Sequence, residues 1–225
     1  THLANFKNYT KSLKQRNSLL KKADTTNIDY WTSEVIKHGA LVHKQRSEYF
    51  VDLNKEFVSY ANKLTNFDKS VYNDIKNTKI TYDQGWNKAL ELDEALAQSL
   101  VKDMAVKHTS VGPHRADLLF NVGGIDLKNI SSMSTQIIIS LLLVLSQAEV
   151  FHVKHGFRPI ILIDDLFFGI DDKNLRLVIN LLVGSKAQCF ITAPDLYKEK
   201  IKSLGRKANE VKMYEFIDGE IQEEI

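Results

Sequence analysis

From residue 133 onward the sequence alternates between two periodicities: a long apolar helix (about 133 to 152), an aliphatic strand (160 to 164), a helix (172 to 183), a strand (187 to 192) and a further helix (195 to 203). Strands and helices in such succession bury their faces by forming a sheet with helices packed on it, which predicts an α/β lobe. The order sharpens at PIILIDDLFFGIDD, 159 to 172, where the aliphatic run ends in Asp164 and Asp165 and a further acid, Asp171, follows six positions later. An ionised pair at the end of a buried strand is costly unless a cation or a water network meets it. Ligands of open α/β sheets collect at the carboxyl ends of the strands. The pair therefore reads either as a Walker B strand, with Asp164 binding magnesium and Asp165 polarising the water that attacks a terminal phosphate, or as a solvated Asp-Asp that caps a loop.

The first half has a different character. Residues 1 to 22 carry Lys7, Lys11, Lys14, Arg16, Lys21 and Lys22 and no acid, with Phe6, Leu13 and Leu20 seven apart, which predicts a basic amphipathic helix. Val35, Val42, Tyr49, Leu53, Phe57, Tyr60 and Leu64 recur at threes, fours and sevens between Tyr30 and Leu64, broken only by Gly39, and predict a second, longer helix packed antiparallel on the first. After a polar stretch (65 to 87) with KITY (79 to 82) as a short strand, a third helix is expected from about Asn87 to Lys107, facing inward with Leu92, Leu96, Leu100 and Met104. VGPHRADLLFNVGGIDL, 111 to 127, then reads as a Gly-Pro turn, a strand, a Gly123-Gly124 hairpin and a second strand, and VKMYEF with EIQEEI as a terminal hairpin about Asp218-Gly219.

Thirty basic against twenty-eight acidic residues leave a formal charge of only +2, so any nucleic-acid surface must come from local clustering. The single cysteine, Cys189, excludes an internal disulfide framework and is expected as a buried, inert thiol, consistent with a reducing cytosol. The most apolar run, IIISLLLVL at 137 to 145, is too short to span a bilayer, so no membrane segment and a cytoplasmic location are expected. No metal spacing is found among the histidines.

ISSMSTQ, 130 to 136, sets Ser132, Ser134, Thr135 and Gln136 at the start of the long apolar helix. Such hydroxyls are ordinary N-caps; a polar helix N-terminus is also a place for a phosphate. Its order with the downstream aliphatic strand and acids, together with KQRNSLLK (14 to 21), GPHRADL (112 to 118), LIDDLFFGIDD and CFITAPDL (189 to 196), resembles the carboxyl-terminal part of the RecF family, recombination-repair ATPases related to SMC and ABC ATPases, over essentially the whole chain. The resemblance implies a helical arm (1 to 110) followed by the C-terminal lobe of an ABC/SMC-like P-loop ATPase head (111 to 225). It implies ATP and Mg2+ as cofactors, with Asp164 on the metal, Asp165 catalytic, Asp171 in the D-loop, and Ser132, Ser134, Thr135 and Gln136 as the signature facing a partner subunit's ATP. It further implies an ATP-dependent homodimer, binding to double-stranded and gapped DNA through Lys11, Lys14, Arg16 and Arg115, cooperation with RecR and RecO, and assistance to RecA loading. His114 and Arg115 either contact nucleotide or DNA or brace the sheet.

The chain departs from that pattern. No GxxxxGK[ST] loop is found, as expected of a fragment lacking the Walker A lobe, and such a fragment alone should not hydrolyse ATP. Ser134 and Thr135 stand where the family has Gly and Gln. Phe168, Gly169 and Ile170 replace Ser-Glu-Leu before Asp171, and Ala193 and Pro194 replace threonines. A nonhydrolytic SMC-like head acting as a DNA-binding or scaffold protein is the alternative these departures leave open.

Overall fold

The computed structural model describes residues 1–65, 73–199, 212–217 and 219–224. Its first elements are α1 (His2–Lys22), α2 (Ile28–Thr65), α3 (Asn73–Lys76), β1 (Thr78–Asp83) and α4 (Leu92–Val106). A 3-10 turn (Pro113–Arg115) leads to β2 (Asp117–Val122), β3 (Ile125–Asp126), α5 (Leu127–Ile130) and α6 (Met133–His155). Then come β4 (Ile161–Ile163), α7 (Asp172–Gly184), β5 (Cys189–Ile191), a 3-10 turn (Asp195–Tyr197), β6 (Met213–Ile217) and β7 (Glu220–Glu224). Residues 200–203 of the last expected helix, and 211, 218 and 225 of the expected terminal hairpin, lie outside the described residues.

Two compact units share the chain: Thr1–Asn54 with Thr78–Asp126, and Lys55–Asn77 with Leu127–Ile225. This division is not the expected one at 110/111. GPHRADL and the hairpin after it group with the first helices, because β2 pairs antiparallel with β1 along its length, from Thr78 opposite Val122 to Asp83 opposite Asp117. Gly123 and Gly124, at φ 59° and 87°, turn β2 into β3; positive φ at both central residues is what a type I′ hairpin turn demands.

In the first unit, α1 and α2 run antiparallel: Asn5 Nδ2 donates to Gln45 Oε1 near one end and Arg16 Nε to Thr32 Oγ1 near the other. The buried face of α1 is Tyr9, Ser12, Arg16 and Leu20; of the heptad row Leu20 is buried while Phe6 is left 38% exposed. A strict seven-residue row drifts about 20° per step around a straight helix, so it leaves the contact stripe. The α4 row is spaced by four and drifts the other way, about 40° per step, so Leu92 and Leu96 are buried along with Ala95, Ser99 and Asp103 while Met104 is exposed. The helix begins at Leu92, later than expected, because Glu91 and Glu94 form a reciprocal capping box, while the Asn87 side chain accepts from Ala89 N in a preceding turn. A Cβ on Gly39 would sit 2.8 Å from Leu92 Cδ2 and 3.1 Å from Tyr9 Cε2, so glycine allows α2 to meet α1 and α4 closely. Tyr9, Val35, Val42, Trp86, Leu92, Ala95 and Leu96 form this core.

The second unit gathers the end of α2, where Phe57, Tyr60 and Leu64 are buried as their spacing predicts, with α3 and all elements from α5 onward. β4 and β5 pair in parallel, Ile161 opposite Cys189 through Ile163 opposite Ile191, while β6 and β7 form an antiparallel hairpin. On one face of the parallel pair Leu162 and Phe190, directly opposite in register, are both exposed. One expectation needs correction: the apolar run 137 to 145 lies within α6, whose 23 residues are long and apolar enough to cross a bilayer by length and composition. The helix instead turns Ile138, Ile139, Leu142 and Leu145 into the interior, as a core helix does. Cys189 is half-buried rather than enclosed, and burial pushes its thiol pKa up.

Candidate functional site

Two parallel strands end side by side in the second unit, and their ends carry the acids. Thr192, just past β5, donates its backbone N–H to Ile163 O at 3.0 Å, which extends the pairing to the end of β4. Its hydroxyl then serves both carboxylate residues, donating a short hydrogen bond to Asp164 Oδ1 and accepting from Asp165 N at 3.0 Å. Asp165 takes a left-handed backbone conformation, φ 50°, that few side chains adopt without support. Both carboxylates are exposed. The expected pair at a strand terminus is thus present, and the residue that orients it, Thr192, was not singled out from the sequence. The usable signal was register: in two parallel strands of equal length, the first polar residue after each lies at the same edge.

The chain next turns back through Leu166 and Phe167, both buried, and Phe168 N donates to Asp165 O at 3.0 Å. Phe168 is 69% exposed, and Gly169 adopts φ 80°, where a Cβ would also lie 3.2 Å from Met133 Sδ. Asp171 caps α7, its carboxylate accepting from Lys173 N, Asn174 N and Asn174 Nδ2. These donors, the Asn174 backbone N–H foremost, hold its pKa below the usual carboxylate range.

This turn meets the start of α6, thirty-odd positions earlier in the chain. Ser134 Oγ donates to Gly169 O at 3.3 Å and Asp171 Oδ2 at 3.4 Å. The structure therefore brings together Ser134 and Asp171, expected as signature and D-loop residues, and it corrects the expectation for Ser134, which is buried with its hydroxyl turned inward. Ser132 caps α6, accepting from Thr135 N at 3.2 Å with its oxygen 3.0 Å from Thr135 Oγ1. Gln136 Nε2 donates to Ser131 O. Of these hydroxyls, Ser132 is the one that caps the helix.

Among the described residues no group of three or more His, Cys, Asp or Glu side chains is placed to hold a metal ion. Magnesium keeps several waters and commonly takes one or two carboxylates plus substrate phosphates. The exposed Asp164, with Thr192 fixing one of its oxygens, fits that role only in the company of a phosphate-bearing ligand.

GPHRADL lies in the first unit and is held from several sides. Gly112 N donates to Gly85 O at 3.1 Å, and Arg46 Nη1 donates to Pro113 O at 2.7 Å. His114 Nε2 lies 3.0 Å from Thr109 O, which makes it the protonated nitrogen, and Nδ1 accepts from Tyr9 OH at 2.7 Å. Burial depresses the His114 pKa and raises that of Tyr9. Of the two roles left open for His114, bracing is the one its contacts fill. Arg115 is exposed, with Nη2 3.3 Å from His108 Nε2.

Of the expected DNA contacts, Lys11 and Lys14 are exposed on α1. Arg16 is corrected: it is fully buried, with Nη1 bonded to Asp103 Oδ2 at 2.8 Å and Thr109 Oγ1 at 2.6 Å. Asp103 also accepts from Ser99 Oγ, Ser110 N and Ser110 Oγ. A guanidinium at 0% exposure cannot meet a phosphate in solvent; it serves the interior instead.

No family model matches the chain. The DNA replication and repair protein RecF of Teredinibacter turnerae is 31% identical to it over 194 residues, 84% of this chain and 50% of that protein. RecF of Citrifermentans bemidjiense is 28% identical over 209 residues, 90% of this chain and 56% of that protein. RecF of Pseudomonas putida is 31% identical over 187 residues, 82% and 49%. The chain spans about half the length of these curated relatives. Among solved structures, the RecF-ATP form of the recombination mediator protein RecF in the RecFOR pathway superposes with a TM-score of 0.73 at 22% identity, over 100% of this chain and 58% of that chain. The RecF-ATPrS form gives 0.72 at 21%, over 99% and 58%. At such identity the structural likeness speaks for the fold.

Proposed function

We propose that this chain, which belongs to the RecF family, supplies the acidic half of an ATP site in a RecF-type DNA replication and repair protein. The observation that supports the reading is the constellation Asp164–Thr192–Asp165 at the carboxyl ends of two parallel strands, where one hydroxyl holds the Asp164 carboxylate and the Asp165 backbone N–H beside two exposed acids. Bound magnesium would neutralise phosphate charge there. Asp164 would hold that ion together with the nucleotide, and Asp165 would accept a hydrogen bond from the water nearest the terminal phosphate. The phosphate-cradling loop would come from the part of the family's length this chain does not span. The family's wider role is part of the proposal: an ATP-dependent homodimer at gapped or double-stranded DNA, contacted through Lys11, Lys14 and Arg115, acting with RecR and RecO to assist RecA.

The test is nucleotide binding and turnover by a protein carrying both halves, with and without gapped DNA, in wild-type, Asp164→Asn and Asp165→Asn forms. Weaker Mg-nucleotide binding in the first variant and slower turnover in the second are expected. ATP binding, ATP-dependent dimerisation and turnover all unchanged in both would end the assignment.

A second reading has its own support. Ser134 turned inward and Gly169 in place of an acidic side chain leave the signature and D-loop with few groups to offer a nucleotide. On this reading the protein binds ATP and holds DNA or partners without turnover. Stable ATP binding with no phosphate release, gapped DNA included, would select it.

A further inference from the structure

A cleft of about 520 Å3 opens in the first unit, lined among others by Asp83 and Trp86 after β1, Lys102 on α4, His108 and Ser110 in the loop beyond it, and Arg115 at the end of the Pro113–Arg115 turn. Some cations of this unit are already engaged: Arg16 by Asp103, Arg46 by Pro113 O, and Lys37 by Glu34. Lys102 and Arg115, like the exposed lysines of α1, have no ion pair among the described residues, and these two line the cleft together. The one carboxylate on the wall, Asp83, is engaged by Gly85 N through Oδ1 at 3.1 Å.

The neighbours orient the cations. His108 Nδ1 lies 2.9 Å from Val106 O, so that nitrogen carries the proton and Nε2 presents its lone pair to Arg115 Nη2 at 3.3 Å. A neutral imidazole thus holds one edge of the guanidinium, and Arg115 keeps its remaining donors for a ligand. Ser110 gives its hydroxyl proton to Asp103 Oδ1, which ties this wall to the buried ion pair. Trp86 is pinned by Nε1 donating to Leu90 O at 3.1 Å and by His43 set edge-on at 4.9 Å, so it adds a rigid apolar margin beside the two cations.

We propose that this cleft binds the phosphate of a nucleotide, Lys102 and Arg115 holding the anion while Trp86 bounds the attached sugar or base. A planar guanidinium with free parallel donors suits phosphate oxygens, and a cleft of this volume accommodates one nucleotide unit. The phosphate belongs either to a free nucleotide or to a nucleic-acid strand. The proposal deepens the reading of Arg115 as a DNA contact and rests on it, and it uses none of the strand-end acids of the second unit.

Trp86 and Trp31 are the two tryptophans of the chain, so Trp31→Phe leaves Trp86 as the sole fluorescent reporter. The experiment titrates that variant of the chain with 5′-dTMP and with an oligothymidylate of about ten nucleotides, a length typical of single-strand sites. Saturable quenching by at least one probe is expected, with the dissociation constant raised about tenfold by Arg115→Ala and further by adding Lys102→Ala, as for the loss of charge-assisted contacts. Both side chains are exposed, and unchanged far-UV circular dichroism confirms that the variants fold. Tighter binding of the oligomer than of dTMP names a strand as the source; equal binding names a free nucleotide. No saturable quenching by either probe, or unchanged affinity in the double variant, overturns the proposal. If Lys11→Ala with Lys14→Ala leaves duplex binding untouched while the cleft signal persists, the wider DNA reading fails and the cleft stands.

Discussion

Arg16 and Asp103 in the first unit, and Asp164 and Asp165 in the second, are charged residues of similar chemistry in opposite surroundings. The first two are fully buried and 2.8 Å apart, each surrounded by hydroxyl or backbone partners from three stretches of chain. The last two are exposed, share one threonine hydroxyl, and meet no cation among the described residues. The buried pair is engaged on most sides, with Arg16 Nη2 left without a partner, and removing either member would leave an uncompensated charge in the interior. Two exposed carboxylates at a strand end remain open to a cation brought by a ligand. Charge alone does not distinguish structure from site; what each charge has already been given does.

The comparison breaks most readily at Arg16. Arg16→Ala strands Asp103 in the interior and is expected to destabilise the protein by about 3–5 kcal/mol, read from urea unfolding. Arg16→Met with Asp103→Leu should recover most of that loss, because no charge is then left alone. Failure of the double variant to recover would mean that the hydroxyls around the pair matter more than the charges.

Next in size is Gly85→Ala. The new Cβ would lie 2.4 Å from Gly112 O at φ 91°, so GPHRADL would have to shift. A loss of about 1–3 kcal/mol is expected, together with a changed Trp86 fluorescence from the adjacent ring.

His114 provides a smaller, pH-dependent effect. Its folded pKa is depressed by burial, so its contribution to stability is complete above the ordinary imidazole range. That contribution declines as pH falls through this range and is lost at the lower folded value, because protonating Nδ1 displaces the Tyr9 hydroxyl hydrogen. Unfolding midpoints against pH should show this slope in the wild type and a flatter one in His114→Gln.

The smallest stability effect is expected where the proposed function is largest. Asp164→Asn and Asp165→Asn should change unfolding free energy by no more than about 0.5 kcal/mol, as exposed substitutions do. A destabilisation as large as that of Arg16→Ala would erase the contrast between the two regions and make the acids part of the framework.

Much of the second unit was legible in the sequence because it depends on local rules. An aliphatic run ending in Asp-Asp marks a strand end, and the polar residues before 172 mark the start of a helix, each through local conformation or capping. The hairpin at Gly123-Gly124 is as legible for the same reason but falls in the first unit, whereas the family resemblance implied one lobe from 111 onward. The helical half was less legible in detail: the third helix starts at Leu92 rather than near Asn87, and beside the expected Leu20, Leu92 and Leu96 the buried faces take in Tyr9, Arg16, Ala95 and Asp103, because a row at fixed spacing drifts off the contact face.

By itself, then, the sequence determined the order and kind of the elements, the acids at a strand end and the absence of a phosphate-cradling loop from these residues. Only tertiary structure decided which charges are spent. Arg16 stands in a run of lysines and looks like its neighbours, yet it sits on the face that meets Asp103 and Thr109, residues more than eighty positions away. Ser134 looks like a ligand for phosphate and is turned to Gly169 instead, and Thr192 looks ordinary yet holds the Asp164 carboxylate and the Asp165 backbone N–H. Hydrogen bonds between distant positions depend on which faces meet, and that is settled by the packing of whole elements, not by any window of the chain.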